Sequence, residues 1–554
     1  MVYFLLMLLT LLSLAGCQQQ NEPDEIIQKQ EPPPPYLRIP LDGIVSTIDP
    51  GLTLDLASIE LVEQLFLGLT DFDPETYDAV PELATHWQIS PDGQEYTFFL
   101  RQDVKWTDET PVTAHDIVWA VQRNIAPQTQ SPGIQTLHIL KNAEVLSRSE
   151  SIMLDSYGEP VTPLGVAALD DYTVKFTLEH PAAYFPALAG LWTYRPLPRK
   201  TIETYQDKWT EPQYIQTNGA YQLAEWHRGN KLVLRKNPHY YDSKKVAIAE
   251  LHYYIVPESS LGLAMYEQDE LDIIGGQTYL RLPLTEIPRI ELDPVLRKEL
   301  QVIPQFCTES YLFNTQKPPM DNVLVRKAIA TAINKQLLID VVIKGNHIPA
   351  STFTRPPVFG SVAPEAGVGT SYNPKEAKTW LAAAGYPEGV GFPKIVIMHN
   401  ISEFHHNLAE GIKTILAYHL NIESIEIRQA NFELYWETIS DPTEAPHMFR
   451  LGWCSDYPDA NNWLYEVFHP TKGINLVGWN NQEFATLVEQ AQQVIEHNKR
   501  KQLYRRAEQI LTEESVVIVP LYFANEPILV KPRLKQWYGM AFGGQHVRDW
   551  QLRK

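Results

Sequence analysis

The chain has 554 residues, 44% of them hydrophobic and 11% aromatic, which is too long for one compact core and apolar enough to fill two or three. Lys and Arg number 46 against 67 Asp and Glu, a net charge of −21. That balance excludes a nucleic-acid binder, whose affinity rests on cationic contacts to phosphates, and suits a protein that stays clear of anionic surfaces.

The chain opens on a short apolar run from Val2 to Leu12, followed by Leu14-Ala15-Gly16-Cys17. The run falls well below the ~18 residues that span a bilayer as a helix, so it reads as a signal peptide. No Lys or Arg precedes it, so either the start lies upstream or the amino terminus supplies the positive charge. Leu-Ala-Gly-Cys resembles the bacterial lipobox, which implies cleavage before Cys17, lipid on its thiol, and membrane attachment through that anchor only. Residues 18–35 are polar and end in four prolines, an extended tether reaching roughly 50 Å at ~3.1 Å per residue.

From Tyr36 short strands alternate with helices, an α/β pattern without internal repeats. Glu95 to Leu100 and Tyr172 to Glu179 read as strands, the second alternating cleanly. Thr113-Ala-His-Asp116 begins a helix through Ile117, Val118 and Val121. Apolar residues at helical spacing run from Val325 to Val342. Asn373 caps a helix with Pro374 in its first turn and Gly385 at its close. Ser402 caps another that reaches His419, with Leu408, Ile412, Ile415 and Leu416 inward. Glu483 to Leu511 forms one helix or two.

No Gly-x-Ser-x-Gly, His-Glu-x-x-His, Walker-type or Gly-x-Gly-x-x-Gly signature is present. His399, His405 and His406 are the nearest thing to a metal cluster, but neighbouring histidines at a helix start are more often capping or surface residues. No metal and no cofactor is expected. After Cys17 only Cys307 and Cys454 remain, suggesting one disulfide in an oxidising compartment, with two buried free thiols as the alternative. Arg450-Leu-Gly-Trp-Cys-Ser-Asp-Tyr-Pro-Asp459 gathers unusual chemistry in one stretch. Asp456 offers a carboxylate to an ammonium, Trp453 can wall a pocket, and the backbone from Leu451 through Gly452 to Cys454 can pair with an extended guest. The competing reading is a core strand ending in a Tyr-Pro-Asp turn.

Family-like blocks occur in order along nearly the whole chain. They include Ala84-Thr-His-Trp87, Ser90-Pro-Asp-Gly93, Tyr96-Thr-Phe-Phe-Leu-Arg101, Asp103-Val-Lys-Trp106 and Pro111-Val-Thr-Ala-His-Asp116. Further blocks are Thr217-Asn-Gly-Ala-Tyr221, Lys236-Asn-Pro-His-Tyr-Tyr-Asp242 and Lys317-Pro-Pro-Met-Asp-Asn-Val-Leu-Val-Arg326. Together they resemble the peptide/nickel-type solute-binding proteins of ABC importers, most closely the oligopeptide-binding members.

The resemblance implies a two-lobed periplasmic-binding fold of type II with an extra inserted domain and a hinge of two crossing segments. Lobe one would comprise residues 36–66, about 196–306 and about 526–554, the inserted domain about 67–195, and lobe two 307–525. A peptide would lie between closing lobes and pass to an ABC permease and ATPase, with a monomeric receptor and no catalysis. Asp456 matches the acid that meets the peptide ammonium. Arg450 matches an arginine used towards the carboxyl terminus, His405 a histidine of similar duty, and Cys307 and Cys454 a disulfide. After Ile48-Asp49-Pro50 such relatives carry a glutamate near the position of Leu54, where the closest acids here are Asp55 and Glu60. A nickel chelate, haem or other small ligand in the same fold is the alternative, and an extracytoplasmic hydrolase a remote one.

Overall fold

A computed structural model describes residues 35–148 and 163–553. The leader, Cys17 and the tether as far as Pro34 therefore lie outside the described residues.

Three larger sheets organise the chain. The first holds Leu37–Leu41, Glu250–Ile255, Lys231–Lys236 and Tyr221–His227, in that order. The second has Glu95–Leu100 and Thr173–Thr177 at its centre, flanked by Ala84–Ile89 and Val166–Asp170. Its central strands alternate buried and half-buried residues, the period-two pattern of a sheet covered on one face.

The third sheet runs Ile273–Gly275, Ile518–Val530, Leu300–Phe313, Met448–Cys454, Ile395–Asn400 and Ile425–Ala430, with Ile348–Pro349 on the side. Its two longest members, Leu300–Phe313 and Ile518–Val530, pair antiparallel with register shifts after Pro304 and Glu309. The stretch from Ser310 to Phe313 is buried on both faces, so Tyr311, Leu312 and Phe313 read as a continuous apolar run rather than an alternating one.

The caps read from sequence sit where helix chemistry needs them. Asn373 accepts from Glu376 N ahead of Pro374–Ala383, and Gly385 takes the left-handed φ of +97° beyond it. Ser402 accepts from His405 N at the head of Glu403–Leu420. The backbone N–H of Thr113 donates to the Asp116 carboxylate at 2.8 Å in the first turn of Ala114–Ile125. The stretch after Glu483 is two helices, Gln482–Gln493 and His497–Gln509, the second capped by Glu496.

The apolar helical spacing from Val325 to Val342 is carried by more than one helical piece: Val323–Ala332 stops at Ile333, which adopts extended backbone, and Asn334 starts a new turn by accepting from Leu337 N. Lys335 then points inward, its Nζ donating to Ala350 O at 2.7 Å. The apolar spacing continues across this break because both pieces pack against the same core, so spacing alone could not reveal it.

Candidate functional site

The strand Met448–Cys454 lies against Leu300–Phe313 with Cys307 opposite Cys454, Glu309 opposite Gly452 and Tyr311 opposite Arg450. Opposed residues project to the same face. Arg450, Gly452 and Cys454 thus share a face with Cys307 and Glu309, while Leu451 and Trp453 turn the other way. The Cys307 and Cys454 sulfurs are bonded across a sequence separation of 147. On the other edge, Ile395–Asn400 pairs with this strand only at Met448 and Phe449. From Arg450 to Cys454 that edge has no strand partner among the described residues. An extended guest could add there.

Beyond Cys454 the chain turns into the helix Ala460–Phe468. Asp459 holds the turn: it accepts from Asn461 N at 2.9 Å and takes Arg500 through two bonds of 2.6 and 2.8 Å, deep in the interior. Asp456 is carried at the outer side of this fixed turn and is exposed. Its Oδ2 receives Asn462 Nδ2 at 3.3 Å, and its backbone N–H donates to Asn462 Oδ1 at 3.2 Å. Desolvation by the surrounding walls raises the Asp456 pKa above its ordinary value, against the Asn462 bond, which lowers it.

Asn462 is a shared support that sequence reasoning missed. Its amide also donates to Glu466 Oε2 at 2.8 Å, and its carbonyl accepts from Trp453 Nε1 at 3.1 Å. Glu466, whose pKa burial pushes up to about 7, also accepts from Tyr457 Oη at 2.5 Å. Trp453, read from sequence as a pocket wall, lies on the other face of the pleat from Cys307 and Cys454. There it braces Asp456 through Asn462.

Arg450 has a different setting. Its Nε and Nη2 each donate to Glu309 at 2.6 Å, and Nη1 donates to Asn400 Oδ1 at 3.2 Å. The two side chains are only 17% and 9% exposed, so this is a buried ion pair rather than a surface one. Burial works against both charges: Glu309 more than offsets it for Arg450, whose pKa is raised, while burial raises the Glu309 pKa against the pull of Arg450, and the two 2.6 Å bonds are the geometry of an ionised pair. Gly452 makes room for the pair: a Cβ there would lie 2.4 Å from Arg450 Nη2 and 3.0 Å from Glu309 Oε2. His405 faces the same space with Nδ1 3.4 Å from Asn400 O. Burial, and then the neighbouring Arg450, push its pKa down to about 4, so the imidazole is neutral at pH 7.

Two cavities meet at the disulfide, both lined by Cys307, Cys454, Arg281 and Gln305. One, of about 650 Å³, is bordered by Arg450, Glu309, His405, Gly452 and Tyr522. The other, of about 480 Å³, has Asp456 on a wall otherwise rich in apolar residues, among them Leu54, Trp192, Phe306 and Phe542. The Leu54 position, where relatives were expected to carry a glutamate, thus adds apolar surface beside Asp456 and is 66% exposed. Among the described residues, Glu63, Asp71 and His546 come close enough to share a metal ion. Arg195 and Arg548 already pair with those acids, so a cation there would face two guanidinium groups.

Residues 78–475 match the bacterial extracellular solute-binding proteins, family 5, in their middle region. The chain belongs to that family. It is a binding protein and not an enzyme, which removes the hydrolase reading. It is 31% identical over 507 residues to the periplasmic oligopeptide-binding protein OppA of Salmonella typhimurium, covering 89% of this chain and 87% of that protein. Among solved structures, the unliganded open form of the periplasmic murein tripeptide binding protein MppA superposes with a TM-score of 0.83 at 27% identity. That match covers 93% of this chain and 97% of the other. Haemophilus influenzae OppA in complex with the peptide RPPGFSPFR gives 0.64 at 26% identity, covering 94% and 99%. The fold is the two-lobed type II periplasmic-binding architecture of mixed α/β content. At nearly equal identity, the better fit to an open form agrees with an exposed Asp456 and, among the described residues, an edge from Arg450 to Cys454 that has no strand partner, although the Tyr435 hydroxyl donates to Arg450 O.

Proposed function

We propose that this protein is an extracytoplasmic receptor that takes up oligopeptides between two lobes and hands them to an ABC importer. The observation that carries the reading is an exposed carboxylate, Asp456, just beyond a strand whose edge from Arg450 to Cys454 has no strand partner among the described residues. An extended peptide satisfies both features at once, its main chain on the edge and its ammonium on the acid. Side chains then occupy the flanking cavities, and tolerance of guest sequence follows.

The lobe boundaries read from sequence are part of this proposal. They are supported by the sheet of residues 84–177, which falls wholly within the inserted segment, and by Leu300–Phe313 and Ile518–Val530, which run across both boundaries. A lipid on Cys17 would hold the monomeric receptor at the membrane of its periplasmic or cell-surface compartment, and Cys17→Ser should release it in soluble, ligand-competent form. Among the described residues no helix is long and apolar enough to cross a membrane.

A second reading, a small apolar amine or other small ligand in place of a peptide, is favoured by the apolar wall beside Asp456. Calorimetry separates the two. A peptide receptor should bind free-amine tri- to heptapeptides and lose affinity when their amino terminus is acetylated. Binding of apolar amines with no measurable binding of peptides would replace the proposal with the second reading.

A further inference from the structure

We infer that the Arg450 cavity does not receive a guest's carboxylate: it is built for a peptide segment that carries no net negative charge, either neutral or cationic. The inference rests on the peptide reading above and specifies what the far end of the site selects.

Arg450 already holds a carboxylate, and it belongs to the protein. Glu309 occupies Nε and Nη2 at 2.6 Å each, the two-pronged geometry in which a guanidinium grips a carboxylate best. A peptide carboxylate can replace Glu309 only if Glu309 withdraws. Glu309 sits inside the strand Leu300–Phe313, in register with Gly452 on one side and Tyr522 on the other, so its backbone has no room to retreat. Displacing only the side chain would leave a buried glutamate without its counter-charge, a costly outcome. The donors Arg450 keeps free therefore act as parts of a neutral pair, able to bond a peptide carbonyl but offering no net attraction to an anion.

The rest of the wall points the same way. Arg281 and Lys344 are its other cations, against Glu291, Asp340 and Glu526. Arg281 is also shared with Asp42, 3.8 Å away. The two imidazoles, His347 and His405, are neutral at pH 7, both held near pKa 4 chiefly by burial. With Arg450 and Glu309 cancelling, two cations face three carboxylates. An incoming carboxylate therefore finds no surplus of positive charge on this wall: Arg281, Lys344, Glu291 and Asp340 are exposed and screened, and desolvation raises the Glu526 pKa. Arg450 and Cys454 are four residues apart along the strand, ~13 Å at ~3.3 Å per residue, and Asp456 lies in the turn beyond, so the segment concerned lies several residues from the guest's amino terminus.

The test is calorimetry of the mature protein with alanine-based peptides of three to seven residues, each as free acid and as C-terminal amide, and each with a free and an acetylated amino terminus. At every length the free acid and the amide should bind within about twofold, while acetylation costs tenfold or more. Placing a lysine at the position that reaches the cavity should improve binding relative to norleucine, and glutamate should weaken it. In Glu309→Gln, which frees Arg450, the free acid should gain at least tenfold over the amide. Should that variant fail to fold, the acid–amide and lysine–glutamate contrasts in the wild type decide. A wild-type preference of tenfold or more for the free acid at any length overturns this inference alone and leaves peptide binding intact. If no peptide binds, or if acetylation changes nothing, the peptide reading falls and the inference with it.

Discussion

On one side of the Cys307–Cys454 bridge, Asp456 is exposed and receives one side-chain hydrogen bond among the described residues, from Asn462 at 3.3 Å. On the other, Arg450 is clasped by Glu309 through two bonds of 2.6 Å and is 17% exposed. Both charges came from one stretch of sequence and both matched family positions. The structure assigns them different work. A charge without a counter-ion in an open cleft is available to a ligand, whereas a charge already paired and buried serves the fold first. A charged residue at a site position is therefore a recognition residue only if the protein has left it unsatisfied.

The bridge between the two cavities gives the largest expected effect. Cys307→Ser/Cys454→Ser opens a loop of 147 residues, and in the chain-entropy treatment this costs about 4–5 kcal/mol. Chemical denaturation should show that loss as a lower midpoint. Since Cys454 lies two residues from Asp456, peptide affinity should weaken in the reduced protein before it unfolds. Unchanged stability and affinity after reduction would mean that the two cavities keep their geometry without the bridge.

Arg450→Ala comes next and should act on stability. It leaves Glu309 buried without its partner, a change worth about 3–5 kcal/mol in comparable pairs. Restoring neutrality with Glu309→Gln in the same chain should recover part of that loss, the coupling that marks a buried pair. If the two single substitutions cost less than about 1 kcal/mol each and add without coupling, Arg450 is free for a guest after all, and the contrast between the cavities disappears.

Asp456→Asn should leave stability nearly untouched and act on ligands. Replacing a charge-assisted bond with a neutral one costs at least about 1.5 kcal/mol, roughly tenfold in affinity, for peptides with a free amino terminus. Acetylated peptides should bind wild type poorly and lose little more in the variant. Equal losses for both would make Asp456 a turn residue.

Much of this was legible in the chain. Asn373 with Pro374, Ser402 and Gly385 mark helix ends by local chemistry that tertiary structure had no reason to override. Asp456 came from the stretch Arg450–Asp459 and the cysteines from their count, and the family resemblance then gave both their expected roles. Glu309 came from none of these, because an acid inside a buried strand has no local signature. It becomes readable only through register: once Cys307 is set opposite Cys454, counting along antiparallel strands puts Glu309 opposite Gly452, diagonal to Arg450. The same count turns Trp453 away from that face. Asn462 was hidden for a different reason. It reaches Asp456 because Asp459 and Arg500 fix the intervening turn, and that long-range pair cannot be read from the ten residues alone.

The smallest effect concerns Asn462 and is read in pH. In the proposed peptide reading the guest's ammonium needs Asp456 as a carboxylate, and desolvation raises the Asp456 pKa. Free-amine affinity should therefore be complete well above that raised pKa and fall as pH drops through it, about tenfold per pH unit below the midpoint. Acetylated peptides should show no such fall. The Asn462 hydrogen bond favours the charged form, so Asn462→Ala should move the midpoint upward and weaken binding by about 1 kcal/mol at neutral pH. Glu466 complicates this, since it shares Asn462 and its own pKa lies at about 7. Glu466→Gln removes that titration. If the midpoint of free-amine binding persists in Glu466→Gln and vanishes in Asp456→Asn, the titrating group is Asp456. A midpoint that disappears with Glu466→Gln instead would assign the pH dependence to the support rather than to Asp456.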